Sequence, residues 1–149
     1  MSRLGFLSPD ECAPDVVLDR SGLGKLELRG DVGSLEPREG EVLLPLGPGR
    51  ALLLTGRPTT AARERLTASG YRVYDMTDAL TTLELDGEDL LRRLTELDPL
   101  ELPAVGSIAR GTPALIERRD GERFRLHVPR ELGDYVAEVI ADLAQGLER

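Results

Sequence analysis

Apolar residues along this chain recur at two spacings. Leu26 and Leu28 alternate with Lys25, Glu27 and Arg29, the period of a half-buried strand that ends at Gly30-Asp31. An apolar run over 42–46 is broken by Gly47-Pro48-Gly49 and resumes over 51–55, which predicts two strand pieces joined by a turn. Residues 71–74 read as a strand, and Thr81, Leu83 and Leu85 alternate with Leu80, Thr82 and Glu84 in the next one. Segments 114–117 and 124–128 flank Asp120-Gly121, the strongest hairpin signal in the chain.

The helical spacing appears three times. Residues 58–69 open on a proline and are followed by Gly70, the residue types that favour a helix's first turn and the position just past its end. Leu90, Leu91, Leu94 and Leu97 share one face of a second helix, with Asp86 as its expected cap. Leu132, Tyr135, Val136, Val139, Ile140 and Leu143 form the continuous stripe of a third. Pro99 and Pro103 bracket a loop, and residues 32–41, holding Gly33, Pro37 and Gly40, form a turn-rich connection.

This order of elements predicts an α+β fold. A single domain over 23–149 carries a mostly antiparallel sheet with the three helices on one face, above Leu83, Leu85, Phe124 and Leu126. Residues 1–22 are rich in Pro, Asp and Ser without periodicity, and read as a loosely ordered N-terminal arm. The arm and the 32–41 connection lack the apolar spacing that anchors a segment to its own core, so both are expected to meet a partner. The partner surface is expected to be aliphatic, rimmed by arginine and carboxylate side chains.

Composition narrows the function classes. With 149 residues and 40% hydrophobic positions the chain can build a core, and with 3% aromatics that core consists of Leu, Val, Ile and Ala. A net charge of -8 opposes a sequence-independent phosphate-binding surface. Lys25 is the sole lysine, and the arginine bias reads as genomic base composition rather than a nucleic-acid footprint. One cysteine, Cys12, and one histidine, His127, remove internal disulfides, multi-cysteine zinc sites and two-histidine metal motifs. Residues 1–14 lack a secretory pattern and no run approaches the roughly 20 apolar residues of a membrane span, so the expected location is cytoplasmic.

Candidate chemistry is sparse. His127 lies between Leu126 and Val128 on the face of Arg123 and Arg125, where a surface position is expected, with no Ser or Cys nucleophile nearby in sequence. Asp10 and Glu11 disfavour a Cys12 thiolate. Gly22, Gly24 and Lys25 do not make a phosphate loop, because Leu26 follows the lysine. Asp75, Asp78, Asp86, Glu88 and Asp89 cluster without calcium-loop spacing, and the last three fall where a helix start favours negative charge. Arg92, Arg93, Arg118 and Arg119 read as solvated face residues. Residue chemistry alone supports no enzyme.

Four ordered segments carry a resemblance: Leu26-Glu27-Leu28-Arg29-Gly30-Asp31; Leu46-Gly47-Pro48-Gly49-Arg50-Ala51-Leu52-Leu53; Asp75-Met76-Thr77-Asp78-Ala79-Leu80, running on to Gly87; and Pro99-Leu100-Glu101-Leu102. Together with the Asp120-Gly121 hairpin, Pro129-Arg130 and the closing helix, the chain over about 23–145 resembles the gamma subunit of heterotetrameric sarcosine oxidase. That family is related to the folate-binding domain of aminomethyltransferases of the glycine cleavage system. The resemblance implies a non-catalytic accessory subunit of a flavoenzyme complex in one-carbon metabolism. Its partners would be larger flavoprotein and folate-binding subunits, and those subunits, not this chain, would hold the cofactors.

A stand-alone folate-binding or aminomethyltransferase-like protein is the second expectation, and a homo-oligomer without a small ligand the third. A folate site would draw on Glu101, Asp75 and Arg110. Two departures from the family stand out. Glu101 occupies the place of a catalytic Asp in the aminomethyltransferases, a shift of one methylene, and the 32–41 connection is too short for the helix that gamma subunits carry there.

Overall fold

The structure, a computed structural model, describes residues 18–19, 23–108 and 111–147. The α+β expectation holds, with antiparallel pairing, but the strands divide between two sheets in two compact units, residues 21–80 and residues 81–149 with 1–20.

In the 21–80 unit, strands β2 (Gly24–Arg29), β3 (Val42–Gly47), β4 (Arg50–Thr55) and β5 (Arg72–Asp75) form a sheet in the order β3-β4-β2-β5. Helix α1 (Thr60–Ala68) covers one face, where Leu26, Leu28, Leu53, Ala62 and Leu66 make the core. Gly70 takes φ 97 just past that helix, the left-handed conformation that a side chain disfavours. The 32–41 connection is anchored after all. Val32 and Leu35 pack against the core, and Glu41 accepts from Arg65 of α1 at 2.9 Å. Two isolated apolar residues suffice for that, which is why no periodicity announces it.

In the other unit, β1 (Leu18–Asp19), β6 (Leu80–Asp86), β7 (Ala104–Ile108), β8 (Thr112–Asp120) and β9 (Arg123–Pro129) form a sheet in the order β1-β6-β9-β8-β7. Strand β1 pairs with β6 at Leu18↔Glu84; the rest of the predicted arm lies outside the described residues. Helices α2 (Glu88–Leu94) and α3 (Gly133–Leu147) share one core with Leu83, Leu85, Ile116, Phe124, Leu126 and Val128.

Three local readings change. The loop bracketed by Pro99 and Pro103 is followed by β7, a strand outside the predicted elements, which forms because its backbone finds β8 as a partner. Gly87, at φ 121, is the residue before α2, rather than Asp86. Arg118 is not a free surface charge: it pairs with Glu88 at 3.1 Å and lies 4.7 Å over the Phe124 ring.

The inner strands β2, β4, β8 and β9 are buried on both faces over most of their length. In β2 the alternation predicts Lys25 and Glu27 in solvent, yet they are 0% and 8% exposed. Lys25 meets the cost of burial by donating Nζ to the carbonyls of Leu23 and Leu80 at 3.3 and 3.2 Å.

Candidate functional site

The chemically richest cluster sits on the β8–β9 hairpin, on the sheet face away from α2 and α3. Antiparallel register sets Glu117 opposite Arg125 and Leu115 opposite His127, so His127 is the diagonal neighbour of Glu117. One oxygen, Glu117 Oε2, accepts from Arg125 Nε at 3.0 Å and lies 2.9 Å from His127 Nε2. The other ring nitrogen, Nδ1, is 2.8 Å from the hydroxyl of Thr82 on β6. With Nε2 protonated and donating to the carboxylate, Nδ1 accepts from Thr82.

The surface position expected for His127 is corrected. Its side chain is fully buried, and Glu117, Arg125 and Thr82 are buried with it. Burial pushes the Glu117 carboxyl up, but hydrogen bonds from His127 and Arg125 and their charges outweigh it and hold the group below its ordinary value of 4.5. Arg125 Nη2 is the buried side-chain nitrogen without a hydrogen-bond partner among the described residues.

A hydroxyl, an imidazole and a carboxylate in line match, in outline only, the relay that activates a nucleophile. Thr82 Oγ1 is closed off here, at 0% exposure for the residue, and no reacting group reaches it in this arrangement. What the cluster does is fix the hairpin's charged face against β6.

The three folate candidates fall in different places. Asp75 ends β5 in the 21–80 unit, where Oδ2 accepts from the Thr59 hydroxyl and Oδ1 from the Thr77 amide, each at 3.0 Å. Partial burial raises its pKa, but the bonds from Thr77 and Thr59 with the Arg63 charge together lower it by more, so it stays below its ordinary value of 3.8. An open trough of about 550 Å³ runs nearby along α1 and β5, lined by Arg63, Glu64, Thr67 and Val73. Glu101 is exposed at the end of a 3-10 turn, Pro99–Glu101, in the other unit. Arg110 lies outside the described residues. Among the described residues, no group of three His, Cys, Asp or Glu side chains is placed to hold a metal ion. Nor is any helix there long and apolar enough to cross a membrane.

This geometry has a counterpart among solved structures. The fold is similar to that of a chain in heterotetrameric sarcosine oxidase. The match is to the enzyme from Corynebacterium sp. U-96 in complex with pyrrole 2-carboxylate, with TM-score 0.75 and 18% identity, over 91% of this chain and 89% of that one. No family model and no curated protein matches the sequence. At this identity the sarcosine oxidase likeness establishes the architecture: the two sheets and three helices here are an arrangement that a natural heterotetramer also uses.

The Glu117–Arg125–His127–Thr82 cluster escapes a linear reading for a definable reason. Counting back from a two-residue Asp120-Gly121 loop would set Glu117 opposite Phe124; Asp120 instead pairs with Arg123, and an irregularity between Arg118 and Asp120 shifts the register so that Glu117 meets Arg125. Thr82 stands 45 residues from His127 and meets it only through the β6–β9 neighbourhood.

Proposed function

We propose that this chain is a non-catalytic accessory subunit of a sarcosine-oxidase-like flavoenzyme complex in one-carbon metabolism. The observation that carries the reading is the chain-long match, 91% of this chain onto 89% of the other. A shared fragment or a common supersecondary motif would leave most of one chain uncovered; this match spans about nine-tenths of both. The ordered sequence segments from Leu26 to Pro129 support the same assignment.

The distribution of polar chemistry fits a supporting role. The buried titratable groups are taken up within the fold, Glu117 by Arg125 and His127 and Lys25 by the carbonyls of Leu23 and Leu80. Glu101, in the place of the aminomethyltransferase acid, is exposed on a turn in company with Leu100, which is 82% exposed. The flavin and folate chemistry accordingly belongs to the larger flavoprotein and folate-binding subunits, and this chain contributes buried surface to the assembly.

Co-expression with flavoprotein subunits of a sarcosine-oxidase-like complex from the same organism tests this. The chain should co-elute with them and its thermal midpoint should rise in the complex, by mass action. The reading fails if the chain elutes alone while calorimetry detects micromolar tetrahydrofolate binding that Glu101→Ala abolishes. That result would instead establish a stand-alone folate-binding protein.

A further inference from the structure

Three arginines stand side by side across the end of the four-stranded sheet. Arg29 on β2 is the register partner of Arg50 on β4 and of Arg72 on β5, so all three project from the same face, about 5 Å apart at Cβ. One carboxylate answers them. Arg29 Nε and Arg50 Nη2 both converge on Glu27 Oε2, at 3.0 and 3.2 Å. Arg72 is exposed, and no ion pair to it is formed among the described residues. Beside the row, Tyr74 is 42% exposed with the Arg29 guanidinium 5.1 Å from its ring centre.

Like charges directly opposite one another destabilise a sheet. A chain with net charge -8 has carboxylates enough to neutralise such a row, yet here three positive charges face one. We propose that the Arg50–Arg29–Arg72 row with Tyr74 is the docking surface for an acidic segment of a partner protein, Asp and Glu side chains filling the open side of the arginine forks. The proposal deepens the accessory-subunit reading and rests on it for the identity of the partner.

The occupant follows from charge and residue type. The excess positive charge is local, each outer arginine lying within one Debye length of about 8 Å from Arg29, while the whole chain repels a long polyanion. A short acidic protein segment gains from the row without meeting that repulsion. Arg and Tyr are also the residue types that concentrate binding energy at protein interfaces, since both present a flat apolar surface with a polar edge. Bidentate Arg–carboxylate contact supplies orientation as well as charge.

The test compares the full chain with Arg72→Glu, and with a triple variant, Glu27→Gln with Arg29→Gln and Arg50→Gln, that removes the row without leaving Glu27 unpaired. Three measurements are made: the Kd for the flavoprotein subunits, the Kd for a short fluorescein-labelled peptide of alternating Glu and Ser, and the Kd for a labelled DNA duplex. Both variants should weaken the subunit complex by at least tenfold, wild-type binding should fall with added salt, and the Glu–Ser peptide should bind the wild type alone. The thermal midpoint of isolated Arg72→Glu should stay level or rise, because the introduced carboxylate would pair with Arg29; a structural arginine would instead lower it.

Subunit binding unchanged in both variants overturns the surface and leaves the accessory reading intact. Loss of subunit binding in the wild type, with the peptide still held by the arginine row, overturns the accessory reading and keeps the surface. Tighter binding of the DNA than of the peptide overturns the proposed occupant. Should Arg72→Glu fail to fold, the triple variant decides on the same criteria.

Discussion

Replacing Glu117 with alanine should be among the most damaging single changes in the chain. The carboxylate is 5% exposed, and it is the acceptor for Arg125 Nε at 3.0 Å and the partner of His127 Nε2 at 2.9 Å. Its removal leaves a guanidinium buried without a counter-charge, when Arg125 Nη2 already has no partner among the described residues. Breaking a buried ion pair from one side costs about 3–5 kcal/mol. With a urea m-value of roughly 2 kcal/mol/M, the unfolding midpoint should fall by about 2 M.

Glu117→Gln keeps the shape and one acceptor, so its loss should be about 1–2 kcal/mol, the difference between a charged and a neutral hydrogen bond. Adding Arg125→Met to Glu117→Leu should recover most of the alanine loss, since an apolar pair of similar volume replaces a buried ion pair at little cost. Urea unfolding followed by far-UV circular dichroism at neutral pH reads all three. A midpoint shift below about 0.5 M for Glu117→Ala, with an unchanged slope, refutes the claim that the cluster holds the hairpin.

The same carboxylate sets an acid sensitivity with a definite sign. Its folded pKa lies below the ordinary 4.5, so near that pH the unfolded chain binds the proton more readily. The stabilisation is complete above 4.5 and is lost as pH falls through the lower folded value; Glu117→Gln should flatten the stability–pH curve in that window. Gly24→Ala should cost about 1–3 kcal/mol by thermal unfolding, because its Cβ would lie 2.7 Å from Thr59 Cγ2 and 2.9 Å from the Thr55 carbonyl oxygen. Pairing the change with Thr59→Ser should not rescue it, since the carbonyl belongs to the paired strand β4. Leu91→Ala, at a fully buried position in the core of the 81–149 unit, should cost about 2–5 kcal/mol by urea unfolding. Lys25, the sole lysine and 0% exposed, should resist amine acylation in the folded chain and react once urea unfolds it, as read by peptide mass spectrometry.

Local rules carried much of the architecture. Period-two alternation placed β2 and β6, the Asp120-Gly121 turn placed the β8–β9 hairpin, and the stripe from Tyr135 to Leu143 placed α3. Each of these is fixed by neighbours within a few residues, which a linear reading can see. The division into two sheets was not visible, because strand neighbours are chosen by long-range backbone pairing and the same alternation serves one sheet or two. Alternation also reported only one buried face per strand. Lys25, Glu27, Glu117 and His127 are buried on the other, where tertiary packing supplied carbonyls and counter-charges that residue type alone gives no sign of. The arginine row is the same lesson at the surface: Arg29, Arg50 and Arg72 are scattered over 44 positions in the chain, and only the register of β4, β2 and β5 sets them abreast.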